Sequence, residues 1–220
     1  MKKYDVAVFD VDGTLLFTQP GILKAMREMF NEMGLGELPK EREKYFCGPP
    51  IHVSLKMFYP HLTDEDIQKC ADCFRSIYKK PEYLLMAEPY DGIMKLLDDL
   101  KANDIRIAVA TYKREDYAID IMNHFGISKI ADVVHGSDNF NKLKKTDIIR
   151  LCLEEMGVKD FNRAVMIGDS DNDAVGAKGL GIPFLAVNYG FGFETKEDVD
   201  VFPNIGMAKS PEEILGFFVD

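Results

Sequence analysis

The chain has 220 residues, 46% of them hydrophobic and 29% charged, and a formal net charge of −10. At roughly 150 residues per domain, that is one full domain with an insert, or two small ones, with apolar residues enough for a core. The acidic balance argues against a protein that grips nucleic acid or anionic membrane through general positive charge.

Taken in chain order, the first element is the apolar run Val6-Ala7-Val8-Phe9, which stops at Asp10. It is too short for a signal segment or a membrane span, so a cytoplasmic protein is expected. Residues 17–87 then read as helices only. Pro20 to Met33 carries Ile22, Leu23, Met26, Met29, Phe30 and Met33 on one face, and His52 to Tyr59 and Asp64 to Tyr78 are two further candidates. Thr63 followed by Asp64-Glu65-Asp66 predicts a capped helix start with an acidic first turn. Six prolines punctuate this stretch, and Cys70 and Cys73 read as two residues on one helix face rather than a metal or redox pair.

Beyond residue 88 the pattern alternates. Apolar, β-branched runs lie at Ile105–Ala110, Val133-Val134, Ala164–Ile167 and Pro183–Val187. Helical spacing lies between them at Asp91–Asn103, Arg114–Phe125 and Thr146–Met156. Nearly continuous apolar strands alternating with helices predict an α/β domain with a doubly wound parallel sheet. In such sheets ligands bind outside the carboxyl ends of the strands. Asp10, Thr111 and Asp169 each follow an apolar run, so they are expected to meet at one sheet edge. The expected division is a Rossmann-like core from residues 1–16 and 88–220, with a helical lobe from residues 17–87 inserted after the first strand.

The chemistry gathers in a few short motifs. In Phe9-Asp10-Val11-Asp12-Gly13-Thr14 two carboxylates two residues apart point the same way in extended backbone. One can act as a nucleophile on phosphorus, and its neighbour can move the proton. In Gly168-Asp169-Ser170-Asp171-Asn172-Asp173, Asp169 and Asp173 are four apart and can share a face of a first helical turn. Four carboxylates at one edge repel by several kcal/mol per ~4 Å pair at an effective dielectric near 20. A hard divalent cation relieves this, and Mg²⁺ suits phosphate chemistry. The Thr111 hydroxyl can hold a phosphate oxygen, and the cluster Lys142-Leu143-Lys144-Lys145 stands just before a helix start, where a lysine could reach inward.

Together, Asp10-Val11-Asp12-Gly13-Thr14, Thr111, Lys145 and Gly168-Asp169-x-x-x-Asp173 resemble the four motifs of the haloacid dehalogenase-like hydrolases, in order. The phosphoglycolate phosphatase-like branch is the nearest resemblance, on Cys47-Gly48-Pro49-Pro50 and Val187-Asn188-Tyr189-Gly190-Phe191-Gly192. The resemblance implies a Rossmann-like core with a helical cap. Asp10 would be the nucleophile and Asp12 the general acid and base. Thr111 and the backbone amide of Tyr112 would bind the phosphoryl group, and Lys145, preferred over Lys144, would bind that group and Asp10. Asp10, the carbonyl of Asp12, and Asp169 would ligate Mg²⁺, with Asp173 in support. The acid at Asp12 points to an oxygen leaving group.

The expected activity is therefore a magnesium-dependent phosphomonoester hydrolase acting through an aspartyl phosphate. The expected partner is a small phosphorylated metabolite, with no nucleic acid and no membrane, and the chain would be a monomer or homodimer. Arg42, Lys44 and Cys47 to Pro50 are candidate substrate contacts in the cap. A phosphomutase, a 5'-nucleotidase or a pyrophosphatase of the same fold, or a silent phosphate-binding module, are the alternatives.

Overall fold

A computed structural model describes residues 2–138 and 142–219. The chain divides into two compact units, residues 1–17 with 89–220, and residues 18–88. From the N-terminus, β1 (Val6–Phe9) is followed by the two-residue β2 (Leu16–Phe17). Next come α1 (Gln19–Glu32), a 3-10 segment (Lys40–Phe46), α2 (Ile51–Phe58), α3 (Asp64–Tyr78) and α4 (Pro81–Leu84). After β3 (Glu88–Pro89), helices and strands alternate: α5 (Ile93–Ala102), β4 (Arg106–Arg114), α6 (Glu115–His124) and β5 (Val133–Ser137). The alternation continues with α7 (Lys145–Glu155), β6 (Ala164–Gly168), α8 (Asp171–Leu180) and β7 (Phe184–Val187). The chain ends with α9 (Lys196–Asp200), β8 (Gly206–Ala208) and α10 (Pro211–Phe218).

Six of the strands form one parallel sheet in the order β5-β4-β1-β6-β7-β8. All four β1 residues are fully buried, as a strand covered on both faces requires. On one face Val6, Val8, Ala108, Ala110 and Met166 pack with Ile148, Ile149, Cys152 and Leu153 of α7 and Ala174 and Ala177 of α8. Their strand neighbours Ala7, Phe9, Ile107 and Val109 are equally buried and, by the alternation of a strand, belong to the other face. The expected doubly wound α/β core is present.

Register sets the site. Phe9 is level with Val109 on one side and Ile167 on the other, so Asp10 emerges beside Ala110 and Gly168. The chain moves to one side of β1 through β4 and β5 and then crosses to the other side for β6. This reversal of strand order is where open α/β sheets bind ligands. The expected strand ending at Ala110 continues in the structure to Arg114. After a register shift, Arg114 pairs with Ser137 of β5. Thr111 and Tyr112 are good strand formers, and β5 gives the extension a neighbour to bond.

Several elements were not foreseen from sequence, β8, α10 and all but the first turn of α8 among them. β8 is only three residues long, and α8 carries Gly176 and Gly179 inside it, which weakens its helical signal. α10 begins at Pro211, whose missing N–H costs nothing at a helix start.

The unit of residues 18–88 is helical. α1 buries Ile22, Leu23, Met26, Met29 and Phe30 of the expected stripe, while Met33 lies just past the helix end and is only partly buried. Thr63 caps α3 as expected: its hydroxyl accepts the Asp66 N–H, and the Asp66 carboxylate accepts the Thr63 N–H. Cys70, Cys73 and Cys152 are unbridged thiols, and Cys73 Sγ donates to Glu32. Among the described residues no helix is long and apolar enough to cross a membrane.

Candidate active site

The two acids of the first motif leave the end of β1 into a tight turn. Leu15 and Leu16 donate back to the Val11 carbonyl, and Gly13 sits at φ +84°, a conformation that costs a glycine little. Both carboxylates are buried, in a sheet edge that leaves them little water.

Lys145, the first residue of α7, reaches this edge. Its Nζ donates to Asp10 Oδ1 at 2.5 Å and lies 2.7 Å from Asp173 Oδ1. Lys144 instead precedes the helix, its N–H held by Asp147. Asp173 divides its two oxygens. Oδ2 caps α8 by accepting the N–H and hydroxyl of Ser170. Oδ1 is buried and accepts no directed hydrogen bond, so its pairing with Lys145 is a charge contact.

Asp169 completes the cluster. Its Oδ2 accepts the N–H of Phe191 at 2.6 Å and of Gly192 at 3.2 Å. Gly190 makes the approach possible: a methyl there would meet the Gly13 carbonyl and lie 2.5 Å from the Asp169 side chain. Tyr189 adds a strut by donating from its hydroxyl to the Thr14 carbonyl. Asp10, Asp169 and Asp173 each offer an oxygen, and these atoms lie within 4.8 Å of one another.

The second expected strand end is more elaborate than its sequence implied. Thr111 is buried, and its Oγ1 accepts the N–H of Lys113 at 3.1 Å. The Tyr112 hydroxyl accepts the N–H of Lys145 at 2.9 Å, and its ring lies 5.7 Å from the Lys145 ammonium. The Tyr112 side chain thus braces the lysine helix. Lys113, unremarked in the sequence, places Nζ 2.9 Å from Asp12 Oδ1, and both side chains are buried.

The electrostatics are those of a site short of positive charge. Burial pushes the Asp10 carboxyl up to about 6; Lys145 opposes the shift, while Asp173 and Asp12 add to it. Burial, then Asp173 and Asp10, raise Asp169 well above the carboxylate range. Burial works against the charge on Lys145, yet Asp10 and Asp173 outweigh it and hold the ammonium protonated. Four carboxylates face two ammonium groups, which leaves two negative charges, the charge of one divalent cation. The oxygen-only donor set fits a hard cation.

Residues 7–187 match the family model described as haloacid dehalogenase-like hydrolase. The chain belongs to the haloacid dehalogenase-like hydrolases. It is 30% identical over 215 residues to the tyrosine-protein kinase PtkA of Mycobacterium tuberculosis, covering 96% of this chain and 72% of that protein. It is 29% identical over 219 residues to a phosphoglycolate phosphatase of Rhodospirillum rubrum, covering 96% and 90%. Among solved structures, a predicted phosphatase from Clostridium acetobutylicum superposes with a TM-score of 0.89 at 30% identity, covering 97% of each chain.

Sequence reading missed Lys113 and the paired N–H groups of Phe191 and Gly192. A signal existed for each. Lys113 lies two residues beyond Thr111, on the same face of an extended strand, and Phe191 is flanked by two glycines where a backbone must come close. His135 lies between two acids, Glu115 at 3.0 Å from Nδ1 and Glu155 at 2.7 Å from Nε2.

Proposed function

We propose that this hydrolase is a divalent-cation-dependent phosphatase of small phosphorylated metabolites, similar to phosphoglycolate phosphatases, that works through an aspartyl phosphate on Asp10. The observation that carries the reading is the Lys145 ammonium shared between Asp10 and Asp173 beside Asp169, at the carboxyl end of the sheet. A nucleophile held by a cation, next to an acid and a cation-deficient oxygen cluster, is suited to an anionic phosphoryl group.

In the first half-reaction Asp10 attacks phosphorus in line, the bond to the leaving oxygen breaks, and Asp12 gives that oxygen its proton. In the second, Asp12 takes a proton from water, whose oxygen attacks phosphorus and releases Asp10. Lys145 and Thr111, with the backbone amide of Tyr112, hold the equatorial oxygens. Asp10, the carbonyl of Asp12, and Asp169 would hold Mg²⁺, with Asp173 in support. The bound ion would supply charge neutralisation at the phosphoryl oxygens. Residues 17–87 are assigned as the cap that selects the substrate, with Arg42, Lys44 and Cys47 to Pro50 as its contact residues.

Phosphate release across phosphoglycolate, nucleoside monophosphates, sugar phosphates and pyrophosphate, with Mg²⁺ and with EDTA, tests the reading. Turnover should need the cation and vanish in Asp10→Asn. Residual turnover in Asp10→Asn would remove the nucleophile assignment. Sugar-phosphate isomerisation without phosphate release would turn the reading to a mutase. Transfer of phosphate from a nucleoside triphosphate to a tyrosine peptide, without hydrolysis, would turn it to a kinase.

A further inference from the structure

The family motifs account for one lysine at this site; the structure contains two. Lys113 stands in the extension of β4 that passes the end of β1. Phe9 is level with Val109, so the residues after Ala110 run alongside Asp10 and Asp12 as these leave the sheet. Side chains two apart on a strand share a face, and Thr111 and Lys113 are both buried while Tyr112 between them is less so. The Thr111 hydroxyl accepts the Lys113 N–H at 3.1 Å and so fixes the backbone from which the lysine projects. The ammonium ends 2.9 Å from Asp12 Oδ1.

This pairing is expensive to build without a purpose. Taking two charges out of water costs several kcal/mol per ion, and their attraction repays it only when the geometry is good. An apolar pair of similar volume would serve stability as well. The contact does, however, constrain one thing that catalysis needs. An ammonium can only donate, so Oδ1 of Asp12 serves it as an acceptor, and a proton taken up by the carboxyl goes to the other oxygen. The orientation of the carboxylate is thereby set from the same strand that carries Thr111.

We propose that Lys113 is a positioning residue for Asp12: it clamps Oδ1 so that the proton on Oδ2 is aimed at the leaving oxygen of a substrate whose phosphoryl group is held by Thr111. The inference rests on the reading of Asp12 as the proton donor. In the step it serves, the bond from the Asp10 oxygen to phosphorus forms, the bond from phosphorus to the leaving oxygen breaks with its electron pair going to that oxygen, and the Asp12 proton moves to it. Lys113 itself exchanges no proton and touches no substrate atom.

The test is leaving-group dependence. Phenyl phosphate and p-nitrophenyl phosphate have nearly the same shape, but nitrophenolate departs readily without a proton and phenolate less so. The readout is the ratio of kcat/KM for p-nitrophenyl phosphate to that for phenyl phosphate, which reports the first half-reaction. Both values come from one enzyme preparation, so the ratio is independent of the fraction folded. General acid catalysis contributes about 10²–10⁴-fold, and part of it depends on aim. Lys113→Met should widen the ratio about tenfold, and Asp12→Asn should widen it further. Lys113→Ala, which removes the donor with less apolar bulk, is read by the same criterion should the methionine variant fail to fold. A ratio unchanged in the Lys113 variants but widened in Asp12→Asn overturns the inference and leaves Asp12 as the acid. A ratio unchanged in Asp12→Asn overturns the assignment of Asp12 on which the inference stands. A fall in melting temperature or a common rise in KM for both substrates, at constant ratio, makes Lys113 a structural or phosphate-binding residue and also overturns it.

Discussion

Removing the Asp10 carboxylate should stabilise the metal-free protein. Asp10 is buried beside Asp12 and near Asp173 and Asp169, and its carboxyl is raised from 3.8 to about 6 even with Lys145 against it. The folded protein therefore holds this proton more tightly than the unfolded chain does. As pH rises from about 4 to about 6, ionising Asp10 costs stability, and above that the full cost persists. A shift of about two units is worth about 3 kcal/mol. Asn keeps the shape of the protonated acid and carries no charge, so Asp10→Asn recovers that cost. For a chain of this size each kcal/mol moves the melting midpoint by roughly 2–4 °C, so the variant should melt roughly 6–12 °C above the wild type. The assay is thermal or urea unfolding of both proteins in EDTA from pH 4 to pH 8. The gap should be absent at pH 4 and full by pH 7. Added Mg²⁺ should raise the wild-type midpoint and narrow the gap, since a ligand of the folded state stabilises it. A midpoint in Asp10→Asn equal to or below wild type at pH 8 in EDTA, or a gap independent of pH, would refute the charge-deficit account.

Tyr112→Phe removes the hydroxyl that accepts the Lys145 N–H at 2.9 Å and leaves that helix-start donor unpaired. It should cost about 1–3 kcal/mol of stability by chemical denaturation and lower kcat with little change in KM for a good substrate. Gly190→Ala drives a methyl into the Gly13 carbonyl and the Asp169 side chain, so the loop carrying the Phe191 and Gly192 N–H groups must move. It should raise the Mg²⁺ concentration for half-maximal activity at least as much as it lowers kcat, as read by a metal titration of turnover. His135 is a stability element: burial works against its charge, but Glu115 and Glu155 outweigh it and raise its titration above the ordinary histidine value. The stabilisation is full below about pH 6.5 and fades as pH rises through the folded-state value. Its worth is about 1 kcal/mol or less for this half-exposed pairing, and it should vanish in His135→Gln compared by urea unfolding at pH 6 and pH 8.5.

The alternation of apolar runs and helical spacing was enough to specify the parallel sheet, because a strand buried on both faces cannot accept polar residues. The acids at the ends of two such runs were legible for the same reason. Asp10 and Asp169 stand where an apolar strand stops, and a charge at that boundary is conspicuous in one dimension. The same logic reached the cluster Lys142-Leu143-Lys144-Lys145 through its place before a helix, and the family resemblance singled out Lys145 within it. It stopped short of Lys113: the spacing from Thr111 puts the two on one strand face, but only the register of β4 against β1 brings the lysine 2.9 Å from Asp12. Nor could it show that Tyr112 braces Lys145, or that Phe191 and Gly192 hold Asp169, since each contact joins segments distant in sequence. Sequence by itself determined which residue types stand at the strand ends, and so the class of chemistry. Only the tertiary structure decided how those charges are partnered, because partnership depends on register and on close backbone approach, and neither is written in the spacing of residues along one chain.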